Sequence, residues 1–241
     1  PVDPSVRGYQ EIFDNRYILT GYFNTVLYTV CGTALNVTLT IMAAYPLSRK
    51  KLRFKGVLMF VFVFTMLFNG GLIPTYMLVQ RLGIINTRWA MILPGAVSAF
   101  NVIIARTFYQ STIPESLVES AKIEGASDVR IMMSIVLPLS GAITGVLTIF
   151  YAVWHWNAFF SAFLYLSRRE LYPLQIILRE ILILNSIDLA MMSFEEFESK
   201  RGMAELLKYS LIVVATGPIL CIYPFAQKYF VRGVMIGAVK G

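Results

Sequence analysis

Long stretches of the chain contain no charged side chain. All Asp, Glu, Lys and Arg residues lie outside five windows, which are residues 17–48, 57–80, 89–105, 131–167 and 209–227. About 17 to 25 apolar helical residues cross the hydrocarbon layer of a membrane, and backbone groups in lipid must pair within their own segment. The pattern therefore predicts an all-α fold, a polytopic transmembrane helical bundle with five spans in this chain. The windows are expected to be helical, with Gly and Pro residues such as Pro74, Pro94 and Pro218 as the places for kinks. We expect residues 1–241 to form a single transmembrane domain.

The composition supports a membrane protein. Of the 241 residues, 57% are hydrophobic and 15% are charged, whereas about a quarter of the residues in a soluble domain are charged. The mean hydropathy is +0.65. A net charge of +7 could indicate nucleic-acid binding, but that function needs bases spread over a water-exposed face or groove. Because many of the bases lie in short loops beside the windows, we expect membrane lipid and no nucleic acid as a partner.

The first loop predicts the orientation of the chain. Residues 49–55 contain five bases and no acid, and short loops rich in Lys and Arg face the cytoplasm. The other segments then follow by parity. Inside are residues 106–130 and the tail from Lys228, and outside are residues 1–16, 81–88 and 168–208.

Two further features, the N-terminus and the long outer segment, complete the predicted topology. An N-terminus that starts outside without a signal peptide is awkward to insert, so we expect a sixth span before Pro1. The long outer segment starts with an apolar stretch, residues 171–187, that Arg179 and Glu180 interrupt. This stretch is typical of an interfacial or re-entrant helix, whereas residues 194–202 are polar and are expected to face water.

A polar segment, about residues 114–130, separates two apolar windows on the predicted cytoplasmic side. Pro114 and Glu115 suit the first turn of a short helix. Gly125 is expected to end that helix because glycine accepts a positive φ, and Ser127 can cap a second helix that enters the next window. The segment is either a docking element for another protein or a solvated loop whose charges keep it out of lipid.

The same segment resembles a signature of binding-protein-dependent ABC importer permeases. The signature reads E-A-A, three residues, G, nine residues and I-x-L-P. It is matched here by Glu119, Ala121, Gly125, Ile135, Leu137 and Pro138, with Ser120 in place of the middle Ala. The similarity covers nearly the whole chain through "LPLSGAI", "WHWNAFF" and "RGVMIGAVKG". It is greatest to the carbohydrate-uptake branch, in particular to the subunit equivalent to the smaller maltose permease.

In that family the segment is a coupling helix that docks in a cleft of a cytoplasmic ATPase subunit. The resemblance implies an ATPase-coupling site made of Glu119, Ser120, Ala121, Gly125, Ala126, Arg130, Leu137 and Pro138. Glu119 would pair with a basic or hydrogen-bonding group of the ATPase, and Gly125 would permit the turn and a close contact. A continuous path from Ser127 into window 131–167 would carry the motion of the ATPase to the bundle.

The resemblance implies a transport complex in the inner (plasma) membrane of a bacterium rather than an enzyme. The expected partners are a second permease subunit, two ATPase subunits and an extracytoplasmic solute-binding protein, which the 168–208 segment can reach. The sequence contains no G-x-x-x-x-G-K-[ST] phosphate loop, so ATP and magnesium are expected in the ATPase subunits and no cofactor in this chain. The expected cargo is a sugar or oligosaccharide, and neutral, uronate and glycerol-phosphate-like solutes are all compatible.

Few side chains in the windows are suited to meet the cargo. The candidates for the substrate pathway are Asn101, Trp154, Trp156, Asn157 and Phe160, with Asn69 as a further polar residue. The aromatic residues could stack on sugar faces or pack against the partner permease. Relatives in this branch commonly carry an acid where this chain has Ala158. His155 is the only histidine, and because it has no metal-ligand set or nucleophile beside it, we expect it to be packed, with no catalytic or metal site.

Two other classes of membrane protein are alternatives to an ABC permease. An ion-coupled secondary carrier usually binds its driving ion with ionisable groups inside the membrane. None of the five windows has an acid, which disfavours proton coupling, although backbone carbonyls can hold sodium. An intramembrane enzyme would need paired acids, a Ser/His pair or an H-E-x-x-H run, and no such set is present.

Overall fold

The chain folds into helices of very unequal length. The computed structural model describes residues 9–10, 12, 16–191, 206, 209–222 and 227, with the side chains of 184–191 excepted. The helices are α1 (Arg16–Ser48), α2 (Lys55–Leu67), α3 (Leu72–Arg81), α4 (Trp89–Ile92), α5 (Ala99–Thr112), α6 (Glu115–Ile123), α7 (Asp128–Leu139), α8 (Gly141–Trp156), α9 (Phe159–Tyr165), α10 (Leu174–Met191) and α11 (Tyr209–Ile222). The described residues contain no β-strand, in agreement with the predicted all-α fold.

Helix α1 is the central element. Its 33 residues extend about 50 Å at 1.5 Å per residue. Among the described helices it alone is long and apolar enough to cross a membrane unaided. Besides Ser48 at its end, its buried polar residues are Asn24, Thr25, Thr33, Asn36 and Thr40, which form a stripe along it. Because polar side chains in a membrane bond to neighbouring helices rather than to lipid, this stripe identifies the face of α1 that packs in the bundle.

The contact between α1 and α8 depends on a glycine. A β-carbon at Gly32 would overlap the imidazole ring of His155, so only glycine lets the two helices approach this closely. The buried ring places its Nε2 3.2 Å from the side-chain amide nitrogen of Asn36, and the hydroxyls of Thr40 and Tyr151 are 2.7 Å apart. These hydrogen bonds fix α8 against α1, and the expectation of a packed histidine is confirmed.

Two windows near the middle of the chain are broken into separate helices, which goes beyond the kinks expected at their Gly and Pro residues. Window 57–80 is divided into α2 and α3, whose axes differ by 113°. The break contains Gly71, whose φ of +90° is not compatible with a helix. Window 89–105 contains α4 and the first half of α5, with a turn at Pro94 between them. The full breaks were not expected, because a charge-free length does not register residues that end helices.

Window 131–167 is also broken, which corrects the continuous path expected from Ser127. Helices α7 and α8 meet at an angle of 84°. A π-helical turn at Met132–Val136 precedes the bend, and Pro138, which has no N–H to donate, lies within it. The hydroxyl of Ser140 donates to the carbonyl oxygen of Val136 at 2.5 Å, which satisfies a carbonyl next to the corner. Helix α7 is therefore oblique to α8 rather than its extension.

Loops that were predicted to share a side of the membrane lie together. At one end of α1, the Lys51 ammonium lies 2.9 Å from the Glu119 carboxylate, which joins the first loop to α6. At the other end, the Asn86 side chain accepts a hydrogen bond from the backbone N–H of Ser167 at 2.6 Å, and α10 packs on the first turns of α1. This arrangement agrees with the predicted grouping of the loops at two ends of the bundle, while the end that faces the cytoplasm stays a prediction.

The long outer segment is partly described. Helix α10 covers most of the apolar stretch 171–187, so its predicted helical conformation agrees with the structure, while its placement at the membrane surface stays a prediction. The polar stretch 194–202, residues 1–8 and the tail from Lys228 lie outside the described residues.

Candidate functional site

The end of α6 forms the glycine turn expected from the sequence. Gly125 has a φ of +83°, in the left-handed region that only glycine enters at little cost. Its N–H donates to the carbonyl oxygen of Lys122 at 3.0 Å, and the N–H of Ala126 donates to that of Ala121 at 2.9 Å. This pair of bonds defines a Schellman motif, which satisfies the last carbonyls of the helix. The turn therefore has one defined geometry.

The second helix of the segment starts as predicted. The hydroxyl of Ser127 accepts a hydrogen bond from the backbone N–H of Arg130 at 3.3 Å, so Ser127 is the N-cap of α7. In the first turn, Asp128 lies 2.8 Å from the ammonium of Lys122 on α6. This hydrogen bond raises the pKa of Lys122. The pair links the two helices across the turn and holds their relative angle.

The inner face of α6 packs on the chain's own bundle. Val118 and Ala121, one turn apart, are 5% and 8% exposed and belong to the core that contains Tyr45 and Tyr109. The methyl group of Ala121, which was expected to contact another protein, faces the interior of the chain, and that contact stays a prediction. A small residue at this position lets α6 lie close to the bundle, and Ala126 is half-buried beside it.

The outer face of the segment is open to solvent. Glu119, Ser120, Gly125 and Arg130 are exposed, as expected for docking residues. Two apolar residues that sequence reasoning missed lie among them: Ile123 is 88% exposed and Val129 64% exposed. A helical wheel would have found Ile123, since it lies off the inward stripe of α6 yet is apolar. Exposed apolar side chains beside polar ones are typical of interaction surfaces.

Glu119 already has a partner within the chain. Its carboxylate lies 2.9 Å from the ammonium of Lys51 in the first loop, with half of its side chain exposed. The hydrogen bond and the charge of Lys51 hold the pKa of Glu119 below its usual value. The two residues are 68 positions apart, so nothing in the local sequence predicts this pair. The carboxylate therefore lies at the surface with its charge fixed.

The last residues of the signature lie at the bend between α7 and α8. Leu137 is half-buried and Pro138 exposed, and the carbonyl oxygen of Leu137 accepts from the N–H of Ser140 at 3.1 Å. Their place at the corner shows that this part of the signature shapes the backbone between the polar segment and α8.

Two candidates for the substrate pathway are enclosed within the chain. Trp156 is 5% exposed, its indole N–H donates to the carbonyl oxygen of Ala215 at 3.1 Å, and its ring contacts Tyr22 edge-on. Asn101 is 6% exposed in the first turn of α5, where its backbone N–H donates to the capping hydroxyl of Ser98. The ring and the N–H of Trp156 are thus both used in packing within the chain, and its role in the pathway stays a prediction.

The other pathway candidates lie on the surface of this chain. Trp154 is 44% and Phe160 55% exposed. Asn157 is exposed at the end of α8 and donates to the carbonyl oxygen of Val153 at 2.8 Å. These three side chains remain candidates for contact with cargo or with a second subunit. Asn69 is exposed in the α2–α3 break and bonds within its own turn, so it is not a deep polar residue.

The described residues contain no group of three or more His, Cys, Asp or Glu side chains that could hold a metal ion. The polar groups of the segment from 114 to 130 are arranged as ion pairs and helix caps rather than as a ligand set. This arrangement is suited to a contact between proteins.

Comparison with known proteins points to one group. No protein-family model matches the chain. The chain is 44% identical to the polygalacturonan/rhamnogalacturonan transport system permease protein YtcP of Bacillus subtilis, over 100% of this chain and 84% of YtcP. It is 40% identical to protein LplC of Bacillus subtilis, over 97% of this chain and 78% of LplC.

A solved structure agrees with these relatives. The chain is similar, with a TM-score of 0.85 and 31% identity, to a chain in the crystal structure of a bacterial ABC transporter involved in the import of the acidic polysaccharide alginate. The similarity covers 95% of this chain and 81% of the other. The fold and the sequence therefore indicate the same group of proteins.

Proposed function

The chain belongs to the permease subunits of ABC transporters that import sugars and oligosaccharides, and on that premise we propose that residues 114–130 join it to a cytoplasmic ATPase subunit. The coupling surface, as we define it, consists of Glu119, Ser120, Ile123, Gly125 and Val129. The observation that carries the proposal is an exposed face of mixed polarity on a helix whose other face is tightly packed.

Coupling requires that a push on α6 reaches the spanning helices. Val118 and Ala121 connect α6 to the core formed by α1 and α5, and the pair of Lys51 and Glu119 connects it to the end of α1. Packed elements of this kind move together rather than deforming continuously. A displacement of α6 would therefore tilt α1 and α5 with it.

The bend of 84° between α7 and α8 determines how the motion enters α8. Helix α7 meets the Gly141 end of α8 at this angle. A movement of α7 would therefore turn α8 rather than push it along its own axis. Movement of the coupling surface parallel to the membrane would rotate α8, and the contact of Gly32 with His155 would transmit the rotation to α1. Alternating access of the pathway is the expected result.

The complete transporter would contain a second permease subunit, two ATPase subunits and an extracytoplasmic binding protein in a bacterial inner membrane. Five crossings in this chain would be made by α1, the α2–α3 pair, α5 with its flanking turn, the α7–α8 pair and α11. Bent pairs can occupy the membrane where neighbouring helices cover the broken backbone.

For the cargo we propose an oligosaccharide derived from an acidic polysaccharide. The support comes from two relatives, one named for transport of polygalacturonan and rhamnogalacturonan and one described as importing the acidic polysaccharide alginate. Galacturonate oligomers are the corresponding test substrates.

The coupling proposal is tested at Ile123. Ile123→Asp places a charge in the centre of the coupling surface, and Ile123→Val serves as the matched control because it keeps an apolar side chain there. The aspartate should abolish co-purification with the ATPase subunits and ATP-driven uptake, since an unpaired carboxylate in an interface is costly. The valine variant should keep both. Normal assembly of the aspartate variant would exclude this face as the docking surface.

The ion-coupled carrier makes the opposite prediction about energy. Uptake by cells or proteoliposomes should stop when ATP is depleted while ion gradients are held constant. Continued accumulation under these conditions would favour an ion-driven mechanism.

A further inference from the structure

The described residues at the outer end of the bundle include several bases, all of them arginines: Arg16, Arg81, Arg88, Arg168, Arg169 and Arg179. The acids of the same segments, within the described residues, are Glu170, Glu180 and Asp188. Over the full sequence the segments predicted to lie outside hold equal numbers of acids and bases, so only the local geometry around a single arginine points to an anionic ligand.

A cleft opens beside one of these arginines, Arg179, between α9 and the start of α10. Its volume is about 320 Å³, and its lining includes Phe159, Phe163, Tyr172, Ile176, Arg179 and Glu180. Ligand sites for small molecules are concave, mostly apolar and roughly 300 to 1,000 Å³ in volume. The cleft is therefore of a size for one or two sugar rings.

The guanidinium of Arg179 lies over an aromatic shelf in this cleft. Its guanidinium carbon is 4.6 Å from the ring centre of Phe159 and 5.8 Å from that of Phe163, and the two rings are stacked 5.9 Å apart. Stacking of this kind occupies the face of the guanidinium and leaves the N–H groups at its edge free to bind an anion. The shelf holds the arginine in one orientation.

The neighbouring carboxylate does not neutralise Arg179. Glu180 instead lies 3.4 Å from Arg169, whose guanidinium also covers the ring of Tyr17 at 4.1 Å. Within the described part of the chain, Arg179 forms no salt bridge. A guanidinium at a cleft that has no ion pair among the described residues is suited to bidentate binding of a carboxylate.

We propose that this cleft receives a uronate unit of the incoming oligosaccharide, with Arg179 binding its carboxylate and Tyr172 lining the side that meets the sugar ring. The inference rests on the proposed function as an oligosaccharide importer, and it adds the site and the charged group that the site selects. An acidic side chain of the binding protein is the other anion that could reach Arg179. The concave shape and the small volume favour a sugar unit over a protein surface.

The test uses the complete transporter with its ATPase subunits and binding protein in proteoliposomes. Uptake is measured for trigalacturonate and for its methyl ester, which has the same sugar rings without the charge. The permease variants are Arg179→Gln, Arg179→Lys and, as the matched control, Arg168→Gln, which removes an exposed arginine at the same end but outside the cleft. The binding protein is the same in every experiment, so its own preference between the two sugars does not affect the comparison of the permease variants.

We expect Arg179→Gln to raise the trigalacturonate concentration for half-maximal uptake at least about tenfold, the loss typical of a charged hydrogen bond. The preference for the free acid over the ester should fall by the same factor. Arg179→Lys, which keeps the charge without the planar fork, should lie in between, and Arg168→Gln should match the wild type. The affinity of the empty binding protein for the complex should not change in any variant.

Other results would overturn the inference. They are an unchanged acid-to-ester preference in Arg179→Gln, an equal loss for both sugars, or weaker docking of the empty binding protein, which would assign Arg179 to the protein contact. ATP-driven uptake of neutral oligosaccharides only would refute the uronate site and the acidic cargo while leaving oligosaccharide import intact. A wild-type complex that transports no oligosaccharide would instead refute the proposed function.

Discussion

Substitution of Gly125 separates the backbone requirement of the turn from contact with the ATPase. At its φ of +83° an ordinary L-residue costs about 1 to 2 kcal/mol, and a β-branched residue lies at the upper limit of that range. Asparagine enters this region far more readily. Within the chain, a β-carbon at Gly125 would have no atom within 4 Å, so backbone strain is the only intramolecular cost of either side chain.

The two substitutions therefore have different expected sizes. A cost of 1 to 2 kcal/mol lowers the ratio of the native turn to the opened turn by a factor of about 5 to 30, since the bonds of Gly125 and Ala126 to α6 would be opened. We expect Gly125→Val to weaken binding of the ATPase subunits by that factor and Gly125→Asn by less than about threefold.

The assay is a titration of purified ATPase subunits onto the permease complex in nanodiscs, with ATP-driven uptake as the second measurement. An equal and large loss for Asn and Val would show that the partner excludes any side chain at this position, which refutes the backbone argument. Unchanged binding in Gly125→Val would show that the turn is not needed at all.

Two further predictions concern packing and charge. Gly32→Ala should destabilise the purified permease by about 1 to 3 kcal/mol through overpacking against His155, measured as a lower midpoint of thermal unfolding and partly reversed by adding His155→Ala; an unchanged midpoint would contradict the close approach of α1 and α8. The pair of Glu119 and Lys51 should be fully formed above the ordinary pKa of a glutamate and lost as the pH falls through the lower pKa of Glu119. Lys51→Gln should move the Glu119 carboxyl titration, followed by NMR, to higher pH, and an unshifted titration would show that the pair is absent in solution.

The sequence alone predicted the polar segment well because its signals are local. Gly125 ends α6 and Ser127 caps α7 as expected, since each acts on backbone groups within five positions. The signature added the family, which the relatives confirm. The exposed Ile123 was within reach of the same reasoning, because helical periodicity separates it from Val118 and Ala121.

Long-range and angular features were not predictable in this way. The pair of Lys51 and Glu119 joins residues that come together only when α1 and α6 are packed. A kink at Pro94 was expected, but its extent and the break at Gly71 were not, because counting charge-free residues gives equal weight to a helix former and a helix breaker. The 84° bend after Leu139 depends on a π-helical turn, for which the sequence offers no clear local mark.

The burial of Trp156 shows a third kind of limit. Its aromatic ring and its position in the chain suited a sugar pathway. The ring, however, packs edge-on against Tyr22, and its indole N–H donates to the carbonyl oxygen of Ala215. Aromatic residues have the same local signature whether they meet a ligand or a neighbouring helix. The role of such a residue in α8 follows only from whether other parts of the chain cover the face of the helix on which it lies.

The central claim is that the coupling surface meets an ATPase subunit, and photo-cross-linking tests it most directly. A photoreactive amino acid is placed at position 123 in the assembled transporter, and a second one at position 212, which is exposed on α11, serves as the control. We expect a cross-link to an ATPase subunit from position 123 and none from position 212. Adducts from position 123 that contain only lipid, or a protein of the outer side, would contradict the claim.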